Sequence, residues 1–189
     1  VAKTFHIKRR KQIPDTIYHI IRDFKFLNQN ADSISFPADS NQITVVNFFY
    51  TRCPVFCLGM NKEMARVAKT FNNNRLMRFI SISVDPDNDS PSVLAEYSKP
   101  FVAENKKWDF LTGDKTLVYA IAKEDFLVDA IQDNSNKLNI IHSPMLILLD
   151  PQKRIRGYYD SSRGQDQVNL LIDEIKVLIT EELRNIKDR

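Results

Sequence analysis

Only two cysteines, four glycines and one tryptophan occur among the 189 residues, and no apolar run is long. Two cysteines do not make a disulfide scaffold, so whatever thiol chemistry exists must be argued from their setting. Four glycines leave no Gly-rich loop to cradle a phosphate. A net charge of +3 is too small to mark a nucleic-acid footprint. Nucleotides and nucleic acids are therefore disfavoured as ligands. The longest apolar stretches, Ile43–Tyr50 and Met145–Leu149, fall far short of the roughly 20 residues that span a bilayer, so the chain as it stands is expected to be soluble. No internal repeat or low-complexity tract is present. With 43% hydrophobic and 27% charged residues, the composition is that of one globular domain with a substantial core.

The residues that are scarce are also concentrated. Both cysteines lie in Phe48-Phe49-Tyr50-Thr51-Arg52-Cys53-Pro54-Val55-Phe56-Cys57, where an apolar run stops and a helix is expected to begin. Pro54 suits a first helical position, since its missing N–H would have no intrahelical partner there. Cys53 then falls at the N-cap, facing free backbone N–H groups and the positive end of the helix dipole, which favour thiolate over thiol. Cys57, Met60, Met64, Val67 and Phe71 step by three and four, forming one helical stripe. Positions i and i+4 lie about 6 Å apart, near the upper part of the range that a disulfide accepts, and two thiolates so spaced can also hold a small metal ion. Spacing alone leaves bridge and metal clamp equally open.

The remaining pattern is β-α-β-α followed by a hairpin and a helix. Strands are predicted at Ile43–Phe49, Phe79–Val84, Trp108–Leu111, Pro144–Leu149 and Arg154–Tyr159. Helices are predicted at Pro54–Phe71, Pro91–Phe101 with Ser90 as cap, Lys115–Ala122 and Asp166–Leu183. The stretch Lys123–Asn139 is less regular, with Phe126-Leu127-Val128 read as one arm of a hairpin, and Asp23–Asn30 with Ser33–Phe36 as an added N-terminal hairpin. This layout predicts an α/β fold, a thioredoxin-like three-layer sandwich with an added N-terminal hairpin. Residues 20–186 are expected to form that single domain. Residues 1–19, with the basic cluster Lys8-Arg9-Arg10-Lys11, are expected to be a lead-in segment following a removed membrane or lipid anchor.

Four blocks in order make the chain resemble the Sco/SenC family of copper-binding proteins. They are Thr51-Arg52-Cys53-Pro54-Val55-Phe56-Cys57, Ser83-Val84-Asp85-Pro86-Asp87-Asn88-Asp89-Ser90-Pro91, Leu111-Thr112-Gly113, and His142-Ser143 before the strand Pro144–Leu149. The resemblance implies a metallochaperone that binds copper through Cys53, Cys57 and His142 and delivers it for assembly of the dinuclear copper site of cytochrome c oxidase. It also implies the copper-site subunit of that oxidase and a thiol reductase as partners, and a place on the periplasmic side of the inner membrane in the cell envelope. Soft thiolates with an imidazole do suit Cu(I). Arg52 reads equally as a charge that offsets the net negative charge of two thiolates around Cu(I) or as ordinary surface charge.

The chain departs from the family pattern at Val55, Leu58 and Ile141, none of them a ligand position. Where Ile141 stands the family commonly has Asp, and without a neighbouring carboxylate the imidazole of His142 is less basic. The competing expectation is a thiol–disulfide oxidoreductase without metal, with Cys53 as attacking thiolate and Cys57 as resolving thiol. A peroxidase of the same fold is weaker, since no Thr-x-x-Cys is present. Met60 and Met64 are expected in the core rather than as ligands. His6 and His19 are expected at the surface or in local structure, and Asp85 and Asp89 in turn or capping roles. Pro144 is expected to follow a cis peptide bond facing the cysteines.

Overall fold

The computed structural model describes residues 19–37, 41–102, 107–128 and 143–187. Its centre is a run that sequence alone makes buried. Ile43–Phe49 (β3) is inaccessible at every position, and so is Met77–Ser83 (β4), which lies parallel to it from Ile43 beside Met77 to Phe49 beside Ser83. Strands covered on both faces read as continuous hydrophobic runs because neither side meets water. Trp108–Thr112 (β5) continues the parallel set on β4. On the other side Met145–Leu149 (β6) pairs antiparallel with β3, and Ile155–Asp160 (β7) antiparallel with β6.

The N-terminal hairpin joins the same sheet. Phe24–Asn28 (β1) and Ser33–Phe36 (β2) pair antiparallel, and β1 also pairs antiparallel with β5, giving the seven-strand order β2-β1-β5-β4-β3-β6-β7. β1 alternates buried Phe24, Phe26 and Asn28 with outward Lys25 and Leu27, the pattern of an antiparallel strand with one wet face. The Asn28 side chain accepts from the backbone N–H groups of Asn30 and Asp32 and so closes the turn. Gly113, just after β5, has no room for a side chain, since a Cβ there would lie 2.0 Å from the Phe26 ring.

Helices cover both faces. Cys57–Thr70 (α1), Pro91–Val102 (α2) and Gln165–Lys187 (α4) lie on one side, where Asn47 meets Asn61 of α1, Phe49 stacks on Tyr97 of α2 and Tyr159 reaches Glu174 of α4. On the other side, Lys115–Ala120 (α3), capped by Asp114, runs into a π-helical turn at Ile121–Asp125. Phe126, which closes that turn, packs edge-on against Phe48 at 5.2 Å. This is the three-layer thioredoxin-like arrangement with an added hairpin that the sequence predicts.

Several boundaries differ. Phe126-Leu127-Val128 is not a hairpin arm: Phe126 and Val128 are buried, and Leu127 sits at φ 52 with its side chain exposed, a geometry no strand allows. The described cis peptide joins Phe36 to Pro37, not Ser143 to Pro144. Helix α1 begins at Cys57 rather than Pro54, with Phe56 as N-cap and no side-chain cap.

Candidate metal and redox centre

The late start of α1 follows from the corner that precedes it. The backbone N–H of Cys53 is donated to the Tyr50 carbonyl at 3.2 Å, closing a turn directly after β3. Residues 54–56 then bend before the helix forms. Cys53, the predicted N-cap, is therefore one turn short of the observed one at Phe56, and Pro54 is not a first helical residue.

The electrostatic result survives through different geometry. Burial pushes the Cys53 thiol up, but a hydrogen bond from the Cys57 thiol and the backbone N–H groups of Val55, Cys57 and Phe56 outweigh it, leaving Cys53 below the ordinary thiol range. Successive N–H groups turned toward one atom make an anion-stabilising concavity. Cys57 goes the opposite way. Its burial, first, and the Cys53 sulfur, second, push it far up, and a backbone hydrogen bond from Tyr50 offsets only part. Both cysteines are free thiols, Cys53 partly exposed and Cys57 buried.

Polar side chains lock the corner to the neighbouring strand end. Asp89, fully buried, accepts from the Thr51 N–H at 3.1 Å, from Thr51 Oγ1 at 2.5 Å and from Ser83 Oγ at 2.5 Å. Asp85 accepts from Arg52 at 2.7 Å and from Asn88 Nδ2 at 2.8 Å. The block from Ser83 to Asp89 thus holds Thr51 and Arg52 beside the cysteines. These two aspartates do more than turn or cap, since they tie the loop after β4 to the loop after β3. Arg52 is paired with the Asp85 carboxylate, which is the largest influence on its guanidinium.

Two further groups at the site went unpredicted. Tyr50 is buried, its hydroxyl hydrogen-bonds the Cys53 sulfur, and burial followed by the charge of Cys53 pushes the phenol up to about 12. Asn61 lies one turn beyond Cys57 on the buried side of α1. It accepts from Asn47 Nδ2 at 2.8 Å and donates to the Tyr97 hydroxyl at 3.0 Å. Burial, foremost, pushes Tyr97 up to about 12, with Cys57 and Cys53 adding to it. An Asn on the apolar stripe four residues after a cysteine was the available sequence signal for this chain of polar groups.

Met60 and Met64 are fully buried in the core, as predicted. His19 is exposed at the surface, one of the two expected settings, with its Nε2 2.7 Å from the carbonyl oxygen of Asp125, distant in sequence. His142, His6 and the basic cluster at residues 8–11 lie outside the described residues. Among the described residues no cluster of three or more His, Cys, Asp or Glu side chains is arranged to hold a metal ion. The described donor set is two sulfurs, one of them held below the ordinary thiol range, which fits a soft monovalent cation and equally fits disulfide exchange.

The sequence model of the SCO1/SenC family matches residues 14–179. The chain is 24% identical over 165 residues to the SCO1 protein homolog of Bacillus subtilis (strain 168), covering 86% of this chain and 85% of that protein. It is 26% identical over 155 residues to the SCO2-like protein of Rickettsia felis, covering 79% and 74%. In fold it is similar to the crystal structure of a SCO1/SenC family lipoprotein from Bacillus anthracis str. Ames, with a TM-score of 0.76 at 24% identity over 88% of this chain and 99% of the other. It is also similar to Bradyrhizobium japonicum ScoI with copper bound, with a TM-score of 0.66 at 21% identity over 82% and 98%.

Proposed function

The chain belongs to the SCO1/SenC family, and from that premise we propose that it is a copper metallochaperone whose cargo is held by Cys53, Cys57 and His142. The observation that carries this reading is the pair of free, hydrogen-bonded sulfurs, with Cys53 held below the ordinary thiol range at a corner locked by Asp89. A thiolate of this kind is the soft ligand that Cu(I) selects. Copper-bound structures of ScoI from Bradyrhizobium japonicum and Arabidopsis thaliana share the fold, and BsSco, which also shares it, is described as a member of the Sco family of cytochrome c oxidase assembly proteins. The proposed destination is accordingly the copper-site subunit of cytochrome c oxidase, with a thiol reductase keeping the cysteines ready. The lipoprotein relative supports a site of action at the cell envelope. No helix among the described residues is long and apolar enough to cross a membrane, so attachment would come through a segment or modification other than these helices.

A second reading, a thiol–disulfide oxidoreductase without metal, is favoured by the contrast between an accessible, easily ionised Cys53 and a buried Cys57, the asymmetry of an attacking and a resolving thiol. Anaerobic titration of the reduced chain with Cu(I) separates the two. One equivalent is expected to bind, to be lost in Cys53→Ser and Cys57→Ser, and to be retained poorly in His142→Ala while disulfide exchange continues. Stoichiometric binding that persists without either sulfur overturns the proposed site.

A further inference from the structure

We infer that Tyr50 is a positioning residue for the dithiol, its hydroxyl donating to Cys53 Sγ and weighting the pair toward its reduced form and, where copper is carried, toward Cu(I). The copper half of this statement rests on the proposed function; the dithiol half does not.

Tyr50 touches both sulfurs. Its hydroxyl hydrogen-bonds Cys53 and its backbone hydrogen-bonds Cys57. Its position is fixed by the chain itself, because its carbonyl accepts from the Cys53 N–H at 3.2 Å and its side chain is 4% exposed. The turn fixes the backbone of Tyr50, and burial of the ring holds its hydroxyl in place. A thiolate accepts such a hydrogen bond strongly, whereas a disulfide sulfur is a poor acceptor, so the contact stabilises the reduced pair more than the oxidised one. Hydrogen bonding to a copper-ligating sulfur likewise draws electron density from it, which disfavours Cu(II) relative to Cu(I).

The test uses the whole chain without metal, equilibrated with mixtures of glutathione and glutathione disulfide. In that exchange the two protein thiols become one disulfide, and glutathione disulfide takes both electrons and both protons to give two glutathione thiols. In Tyr50→Phe the equilibrium constant for oxidation is expected to rise about three- to tenfold, the net worth of one typical hydrogen bond. A constant within twofold of the parent, in a variant that melts as the parent does, overturns the inference. Where the variant does not fold, the parent labelled with 13Cζ-tyrosine answers the question: the Tyr50 resonance is expected to move between dithiol and disulfide, and a resonance that stays still overturns it. With Cu(II) added, the sulfur-to-copper charge-transfer band is expected at lower energy in Tyr50→Phe than in the parent. A shifted dithiol constant with no copper taken up sinks the copper reading and leaves Tyr50 its role. Copper binding with an unshifted constant does the reverse.

Discussion

Cys53 and Cys57 carry the same functional group and are driven apart by their surroundings. Three backbone N–H groups and a neighbouring thiol hold Cys53 down against its own burial, while Cys57 is 2% exposed and pushed far up. Reactivity follows the thiolate, so iodoacetamide at neutral pH is expected to modify Cys53 at least about tenfold faster than Cys57. The sign with pH is fixed by the directions: as pH falls through the lowered value of Cys53 its rate declines, and Cys57 stays silent until pH rises beyond the ordinary thiol range. Peptide mass spectrometry of the reduced chain after timed quenching checks this, and equal rates would mean the turn does not act on Cys53. At this scale the sequence was informative about which thiol ionises more readily and misleading about why. Pro54 suggested an N-cap at Cys53, but the turn to Tyr50 consumes the Cys53 N–H, and the helix starts a turn later. Tyr50 was invisible because the final residue of an apolar run reads as core until its hydroxyl is seen to face a sulfur.

Between elements, the join that matters for the site is β3 against α1, and it contains a polar contact in an apolar layer. Asn47 and Asn61 are both fully buried, and Asn47 Oδ1 has no hydrogen-bond partner. Removing one amide strands the other in the core, which costs about 1–3 kcal/mol, whereas replacing both by apolar groups of similar shape is close to neutral. Asn61→Leu is thus expected to lose about 1–3 kcal/mol, and the Asn47→Val, Asn61→Leu pair to recover the part due to the stranded Asn47 amide but not the part due to the Tyr97 hydroxyl, which loses its donor in both. Urea unfolding of the four members of the cycle measures this. A double variant as unstable as the sum of the singles would show that the two amides act independently. Elements with strong periodicity were legible: the all-buried β3 and β4, the alternating β1 and the amphipathic α4. The π-helical turn at Ile121–Asp125 was not, because the apolar residues that follow it, Phe126 and Val128, are buried in a connection that folds back on Phe48 rather than in a strand. The Leu111-Thr112-Gly113 block acquires a reason only in three dimensions, where the Phe26 ring fills the space a side chain at Gly113 would need.

For the whole molecule, the two sulfurs sit where three segments converge: the corner after β3, the first turn of α1 and the loop after β4 that Asp89 draws in. A cation held there bridges parts of the core that separate on unfolding, so binding must be linked to global stability. A ligand that binds only the folded chain at about a hundred times its Kd adds about 2.7 kcal/mol. In a domain of this size that corresponds to a melting temperature raised by about 5–10 °C. Residual binding of Cu(I) to the two nearby sulfurs of the unfolded chain lowers the figure without changing its sign. Oxidation gives the decisive contrast, since a Cys53–Cys57 disulfide offers no thiolate to a metal while leaving the rest of the fold in place. Cu(I) is therefore expected to raise the melting temperature of the reduced chain and leave that of the oxidised chain unchanged. Anaerobic calorimetry of both forms, followed by rereduction of the oxidised sample to restore the shift, measures the linkage. An equal shift in both forms would place the stabilising metal somewhere other than the sulfurs.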